Sequence, residues 1–176
     1  MIRRACLAAA VTALATLAAP ALAHGPTPQQ LTRVEQIAAP PERVWAVIAD
    51  PAGMAAWQPD IARVTMQGEG RGAKREVEFK SGGTLLDGID RIDADKMTIR
   101  WRLSKEDIKV FPASFYTNDL TVAAEGEGSE LTWHASLYRA DTTNEPAEEY
   151  NDEAAVAAMQ AFIDHGTAGI KAAAEQ

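Results

Sequence analysis

The side chains that could carry out chemistry in this chain are few, and its histidines come first. Histidine acts as a general base or a metal ligand near neutral pH. His134 alternates in parity with Trp133, so we expect it on the wetter face of a strand, in a structural role more than as a base. His165 precedes Gly166 near the end of the longest helical segment, where a cation complements the helix dipole. Neither histidine has a partner nearby in sequence that would indicate a dyad or triad.

Two features have ligand types that suit a metal ion, but neither has the spacing of a known site. His24 would become the N-terminal residue if a leader were removed, and its amine and imidazole could then ligate copper together. The carboxylates at 148–153 could bind a hard cation such as calcium, yet a solvated helix start that suits the helix dipole explains them fully. The sequence therefore predicts no metal and no cofactor.

One glycine-rich stretch superficially matches a nucleotide-binding fingerprint. Gly68, Gly70 and Ala73 follow the pattern G-x-G-x-x-A, which needs a helix directly after it to bind a pyrophosphate. Residues 74–80 alternate like a strand instead, so the stretch is interpreted as a hairpin turn. The chain has no nucleophile elbow, zincin motif, P-loop or paired carboxylates, and no catalytic residue is predicted.

The remaining candidates are large apolar side chains that could line a ligand cavity. Three of the four tryptophans are expected in the core, whereas Trp57 could either pack there or close the mouth of a cavity, because it follows a Gly53-Met54 loop. The residues predicted to line the cavity are Trp57, Phe79, Trp101, Tyr116, Trp133, Met159 and Ile163.

Composition limits the kind of protein that must position these residues. The chain has 176 residues, of which 47% are hydrophobic and 24% charged, with a formal net charge of −8. This length and apolar content suit one domain with a real core and exclude a disordered polymer. An acidic chain without a basic stripe also argues against nucleic-acid binding.

The first 23 residues are interpreted as a cleaved signal peptide. Arg3 and Arg4 precede the apolar run 5–19, which is shorter than the roughly 20 residues of a membrane span, and small residues follow at 21–23. Cleavage before His24 leaves 153 residues, a charge of −10 and no cysteine, since Cys6 is removed. We therefore expect a periplasmic protein without a disulfide, a thiolate metal site or a covalently attached haem.

The order of periodic segments predicts the fold class. After an extended lead-in at 24–30, residues 31–38 form a strand, a helix opens at Pro40-Pro41-Glu42 and ends at Asp50-Pro51, and residues 51–57 form a short helical turn. A long helix follows Pro146 and ends near Ala174. Between the helices, alternation predicts six further strands, at about 61–67, 74–80, 84–93, 96–104, 114–123 and 130–139.

These elements combine into a single α+β domain over residues 31–176. A curved antiparallel sheet of about seven strands, with two short helices after the first strand, would grip the long C-terminal helix. A sheet and a helix held apart at one end leave a cavity, which is a usual place for a small-molecule site.

Residues 39–50 (APPERVWAVIAD) and 54–59 (MAAWQP) resemble the START-like superfamily. More narrowly, they are similar to its polyketide cyclase/dehydrase and lipid-transport group (SRPBCC). This resemblance covers about residues 31–174 and implies the helix-grip fold.

Shorter stretches resemble the MxaD-type methanol-oxidation proteins. They are the start HGPTPQ at 24–29, Ser81-Gly-Gly83, Leu131-Thr-Trp133 and the acidic segment 146–153. This resemblance implies a periplasmic, non-enzymatic accessory factor of a pyrroloquinoline quinone (PQQ) methanol dehydrogenase and its cytochrome c. Gln58 departs from the pattern, because members of that family often carry histidine there.

Three functions follow from these observations. The leading expectation is the accessory factor, docking through its acidic surface onto a basic patch of a partner. The alternative is a periplasmic carrier for a hydrophobic small molecule in the sheet–helix cavity. The third is a cyclase or hydrolase that uses His134 or Tyr116. No nucleic acid, and no membrane span after signal cleavage, is expected.

Overall fold

Seven antiparallel strands form one curved open sheet around a C-terminal helix in the computed structural model, which describes residues 25–176. The spatial order of the strands is β1-β7-β6-β5-β4-β3-β2, so the first strand lies beside the last and β2 forms the other edge. The predicted α+β helix-grip class is confirmed. The strands are β1 (Gln29–Ile37), β2 (Ile61–Gln67), β3 (Lys74–Phe79), β4 (Thr84–Asp93), β5 (Thr98–Lys105), β6 (Ala113–Glu125) and β7 (Gly128–Arg139).

Three α-helices accompany the sheet, and local signals set their ends. Helix α1 (Pro41–Ile48) begins at a proline, whose missing N–H is not needed in a first turn. A 3₁₀ turn (Pro51–Gly53) and the short α2 (Met54–Trp57) follow. The long α3 (Asp152–Ala174) begins where the Asn151 side chain accepts a hydrogen bond from the backbone N–H of Ala154 at 2.8 Å.

Some boundaries differ from the sequence-based expectation. Strand β1 begins at Gln29, inside the predicted lead-in, because Gln29 and Gln30 pair with β7. The acidic cluster at 148–153 does not lie in one continuous helix, since Glu148–Tyr150 forms a separate 3₁₀ turn before the Asn151 cap. The predicted signal peptide 1–23 and His24 lie outside the described residues. Within residues 25–176, no helix combines the length and apolar character needed to cross a membrane.

The glycine-rich segment is a hairpin turn, as its alternating continuation indicates. Gly68, Gly70 and Gly72 all have positive φ angles, which favour glycine, and β2 pairs with β3 on either side of them. Because a strand and not a helix follows, the segment cannot cradle a pyrophosphate in the way of a dinucleotide fold.

The sheet has two faces of different character. We call the face that packs on α3 the inner face and the opposite one the outer face. Helix α3 packs mainly against β7 and β1 and also contacts α1 and α2. The inner face and α3 enclose the hydrophobic core, whose largest fully buried apolar side chains include Trp101, Trp133, Ile89, Ile99, Leu120 and Leu131.

Helix α3 lies unusually close to α2. A Cβ at Gly169 would overlap the backbone carbonyl of Trp57, and one at Gly166 would lie 2.8 Å from both the Gln58 amide and the Trp133 ring. Glycine at these two positions therefore lets α3 reach the depth that seals the core.

Candidate functional site

All seven residues predicted to line a ligand site lie in one hydrophobic core between the inner face and α3. Trp101, Tyr116 and Trp133 project from neighbouring strands, while Met159 and Ile163 come from α3. The structure thus brings the candidates together, while their role in binding stays a prediction.

Aromatic rings fill the centre of this core in edge-to-face contacts. Trp133 lies 5.9 Å from Trp101, 6.1 Å from Trp57 and 6.0 Å from Phe162, measured between ring centroids. These T-shaped arrangements are favoured by the ring quadrupoles. Trp57 is only 4% exposed, so of its two interpretations the structure places it in the core.

A charged cluster is buried beside these rings. Arg75 donates to one carboxylate oxygen of Asp87 from Nε at 3.2 Å and from a terminal nitrogen at 2.8 Å. The Tyr116 hydroxyl donates to the other oxygen at 2.6 Å. The Arg75 guanidinium also lies 4.7 Å from the ring centroid of Trp101, in a cation–π contact. We call Arg75, Asp87 and Tyr116 the buried polar triad.

Strand register positions the triad. Arg75 on β3 pairs directly with Asp87 on β4, and both side chains point to the inner face. Side chains directly opposite on antiparallel strands lie about 5 Å apart at Cβ, which is within reach of an ion pair. Since both charges are almost fully buried, each depends on the other for compensation.

Burial controls protonation in the triad. It raises the pKa of Asp87, an effect that the Arg75 charge and the hydrogen bonds from Tyr116 and Arg75 oppose. Burial and the neighbouring Asp87 raise the pKa of Tyr116 well above its usual value. Tyr116 therefore stays a neutral phenol whose hydroxyl donates a hydrogen bond to Asp87, and it is unsuited to act as a base near pH 7.

Two buried N–H groups of this core lack a hydrogen-bond partner among the described residues. The Trp133 indole N–H donates to Asn118 Oδ1 at 2.8 Å, but Asn118 Nδ2 has no hydrogen-bond partner among the described residues. Within the same part of the chain, the Trp57 indole N–H is also without a partner. A buried donor left unpaired costs about 1–3 kcal/mol, so both donors favour an acceptor nearby.

A groove opens to the surface between the end of β3 and the middle of α3. Its volume is about 380 Å³, and its apolar floor consists of Phe79, Phe111 and Phe162. The Phe111 ring lies 5.8 Å from Tyr116, and Phe162 lies 6.0 Å from Trp133, so the floor contacts both the triad and the tryptophans. We call this the open-end groove. Its rim carries Lys80 and the pair His165–Asp60, joined at 2.9 Å.

Comparison with known proteins identifies the family. The family model described as polyketide cyclase / dehydrase and lipid transport matches residues 28–175, which is most of the chain. The chain belongs to this family. The predicted START-like, SRPBCC membership is thereby confirmed.

Solved structures share the fold of this family member at low sequence identity. The protein XoxI from Bacillus cereus superposes with a TM-score of 0.68 at 19% identity, over 82% of this chain and 94% of that one. An uncharacterised protein from Bacillus thuringiensis superposes with a TM-score of 0.69 at 18% sequence identity, over 84% of this chain and 100% of that one. Norcoclaurine synthase from Thalictrum flavum superposes with a TM-score of 0.60 at 11% sequence identity, over 84% of this chain and 93% of that one. No curated protein matches the chain.

His134 and His165 of this family member lie outside the buried core. His134 is exposed on the outer face, as predicted, and hydrogen-bonds Thr32 at 2.8 Å. His165 does not lie at the helix end, because α3 continues to Ala174, and its imidazole contacts Asp60 instead. Within residues 25–176, no three histidine or carboxylate side chains cluster closely enough to hold a metal ion.

Sequence reasoning missed Arg75, Asp87 and Asn118 as parts of the site. A signal for the two charges was nevertheless present. Arg75 shares the parity of Val77 and Phe79 on β3, and Asp87 shares that of Leu85 and Ile89 on β4. A charged residue on the apolar side of an alternating strand indicates a buried, paired charge.

Proposed function

We propose that this chain is a non-enzymatic binding protein for one small, mainly apolar molecule, held between the inner face and α3. The observation that carries the proposal is that two buried donors of the aromatic core, Asn118 Nδ2 and Trp57 Nε1, have no hydrogen-bond partner within residues 25–176. Binding sites for small molecules are mostly apolar, with a few placed polar groups that fix orientation.

The polar groups define the chemistry of the ligand. Two free N–H donors favour a neutral acceptor such as a carbonyl, ether or hydroxyl oxygen. Arg75 and Asp87 already neutralise each other, so an added ionised group would be buried without a counter-charge. The surrounding rings favour a flat or aromatic body for the rest of the molecule.

A binding role fits these residues better than catalysis. The acidic protons of the triad are committed to its internal hydrogen bonds, and Tyr116 is held neutral. His134 lies on the outer face, whereas Tyr116 lies on the inner one, so the two candidates for the cyclase or hydrolase alternative do not share a site.

Native mass spectrometry of protein purified from its own host tests this proposal. We expect one small organic molecule per chain, released on denaturation. Ala161→Phe, which narrows the open-end groove, should lower the affinity for the ligand at least about threefold, a change of about 0.7 kcal/mol or more, and should therefore lower occupancy. Ala168→Phe, at an exposed position of α3 outside the groove, is the matched control and should retain the ligand. Bare protein in every preparation would contradict the proposal.

We further propose that the chain works in the periplasm after removal of residues 1–23, as an accessory factor of methanol oxidation. Its suggested partners are a PQQ-dependent dehydrogenase and cytochrome c. Support comes from the sequence resemblance to MxaD-type proteins at 24–29, 81–83, 131–133 and 146–153. The signal-like charge and apolar pattern of residues 1–23 supports export.

Gene deletion and fractionation test this finer role. We expect slower methanol-dependent growth and lower dehydrogenase activity in the deletion strain, both restored by the full-length gene. A gene lacking codons 2–23 should not restore them, because its product would stay in the cytoplasm. Unchanged growth on methanol, or restoration by the truncated gene, would overturn the role while leaving ligand binding untouched.

A further inference from the structure

The outer face carries a cross-strand pair of like charges. Arg91 on β4 lies directly opposite Arg100 on β5, and the next residue across the sheet is Asp119 on β6. Asp119 accepts a hydrogen bond from Arg91 at 2.8 Å and lies 3.6 Å from Arg100. Like charges directly opposite on neighbouring strands are destabilising, and here one carboxylate serves two guanidinium groups.

Two further arginines extend this cluster. Arg102 lies 3.2 Å from Asp90, and Arg71, in the β2–β3 turn, has no ion-pair partner within residues 25–176. Together Arg71, Arg91, Arg100 and Arg102, with Asp90 and Asp119, form what we call the arginine patch. Its formal charge is +2.

The patch stands out against the rest of the chain. Since Arg3 and Arg4 are not among the described residues, residues 25–176 carry a formal charge of −10. The patch is therefore a local positive area on a domain whose remaining surface is strongly negative. An opposite potential confined to one area is the arrangement that orients a charged partner during encounter.

The shape of the patch indicates a macromolecular partner. Arg71, Arg91 and Arg100 border a shallow hollow of about 370 Å³, and the side chains of Arg91, Arg100 and Arg102 are 45%, 46% and 55% exposed. Small-molecule sites enclose most of their ligand, which an open sheet face does not do. Guanidinium groups suit carboxylates, to which they can donate two parallel hydrogen bonds.

We propose that the arginine patch is a docking surface for a carboxylate-rich segment on the surface of a partner protein. A long polyanion such as nucleic acid, or an anionic membrane, would extend past the patch and meet the negative remainder of the domain. A local cluster of glutamate or aspartate side chains meets only the patch. This polarity is the reverse of the expected docking through the acidic surface, and the proposal is independent of ligand binding on the inner face.

Nuclear magnetic resonance of the arginine side chains tests the proposal with a capped hexaglutamate peptide as the probe. At low ionic strength we expect the Nε–H signals of Arg71, Arg91 and Arg100 to shift on titration, and the shifts to fade as salt shortens the screening length to about 3 Å near 1 M. The double variant Arg91→Gln/Arg100→Gln should weaken peptide binding at least about fivefold, or about 1 kcal/mol. Arg63→Gln is the matched control, because Arg63 is an exposed outer-face arginine whose charge is met by Glu78 at 2.7 Å.

Each other outcome overturns the proposal. Equal shifts at Arg63, or unchanged binding by the double variant, would show that the peptide has no preference for the patch. Inorganic phosphate that binds there as tightly as the peptide would make it a small-oxyanion site. Vesicles containing phosphatidylglycerol that sediment with the wild type and not with the double variant would make it a membrane contact.

Discussion

The inner and outer faces of this sheet use the same residue types with opposite consequences. On the inner face, Arg75 and Asp87 are 1% and 2% exposed, and both oxygens of Asp87 accept hydrogen bonds. On the outer face, Arg91 and Arg100 share the single carboxylate of Asp119 in contact with solvent. Burial requires that every charge be compensated, whereas water tolerates incomplete pairing. The inner charges are therefore committed to each other, and the outer charges remain available to a partner.

The largest expected effect comes from removing one carboxylate on each face. Asp87→Ala leaves Arg75 buried without a counter-charge, so we expect a loss of about 3–5 kcal/mol in the free energy of unfolding. Asp119→Ala removes a partner from solvent-exposed arginines and should cost no more than about 1 kcal/mol. Urea unfolding followed by tryptophan fluorescence measures both.

Equal losses for the two alanine variants would break the comparison between the faces. Arg75→Met/Asp87→Leu provides a further check, because replacing both members of a buried pair with apolar side chains should cost less than Asp87→Ala alone. A double variant at least as unstable as Asp87→Ala would mean that the pair does more than neutralise itself.

A smaller difference is expected for a methyl group added on each side of the sheet. Gly169→Ala would press against the Trp57 backbone, which cannot move aside, so we expect a loss of about 1–3 kcal/mol despite the higher helix propensity of alanine. The Cβ of Gly88→Ala would meet Ser104 Oγ at 2.9 Å and Lys74 Nζ at 3.4 Å, both ends of side chains that can rotate away. Thermal unfolding measures both variants, and we expect a clearly lower Tm for Gly169→Ala and a nearly unchanged Tm for Gly88→Ala. A larger drop for Gly88→Ala would contradict the tight packing between α3 and α2.

The smallest effect is a difference in pH dependence between a buried and a surface carboxyl. The pKa of Asp87 is raised above 3.8 by burial, so the folded chain gains stability from this group as the pH falls through the folded-state pKa toward 3.8. Hydrogen bonds from Lys171 and Arg33 lower the pKa of Glu35 below 4.5. The stability from Glu35 is therefore present above pH 4.5 and is lost as the pH falls through its folded-state pKa.

Urea unfolding between pH 7 and pH 3 compares these two groups. The stability difference between wild type and Glu35→Gln should shrink on acidification, whereas that between wild type and Asp87→Asn should grow. If the two stability differences changed with pH in the same direction, burial would not dominate the titration of Asp87.

Most of the fold was predictable because its signals are local and periodic. Apolar and polar residues alternate between Met97 and Ser104, and this pattern predicted both ends of β5 to within two residues. Pro41 predicted the start of α1. The Asn151 cap was missed, because an acidic run after Pro146 resembles a continuous helix start and only the extended backbone of Asn151 separates the two segments.

The candidate site was predictable in its apolar members and not in its polar ones. Trp101 and Trp133 alternate with polar neighbours, so their burial follows from periodicity alone. The contact between Arg75 and Asp87 depends on the register of β3 with β4, and Asn118 meets Trp133 only because β6 pairs with β7. Pairing between strands is not encoded in the period of either strand.

The indole N–H signals of the four tryptophans test the central claim, ligand binding between the inner face and α3, most directly. In a ¹⁵N-labelled sample titrated with the neutral apolar probe N-phenyl-1-naphthylamine, we expect saturable shifts at Trp57 and Trp133. Trp45 on α1, which only flanks the core, serves as the internal control and should not move. Ala161→Phe should weaken these shifts and Ala168→Phe should not. Shifts confined to Trp45, or equal in both variants, would contradict binding between the sheet and α3.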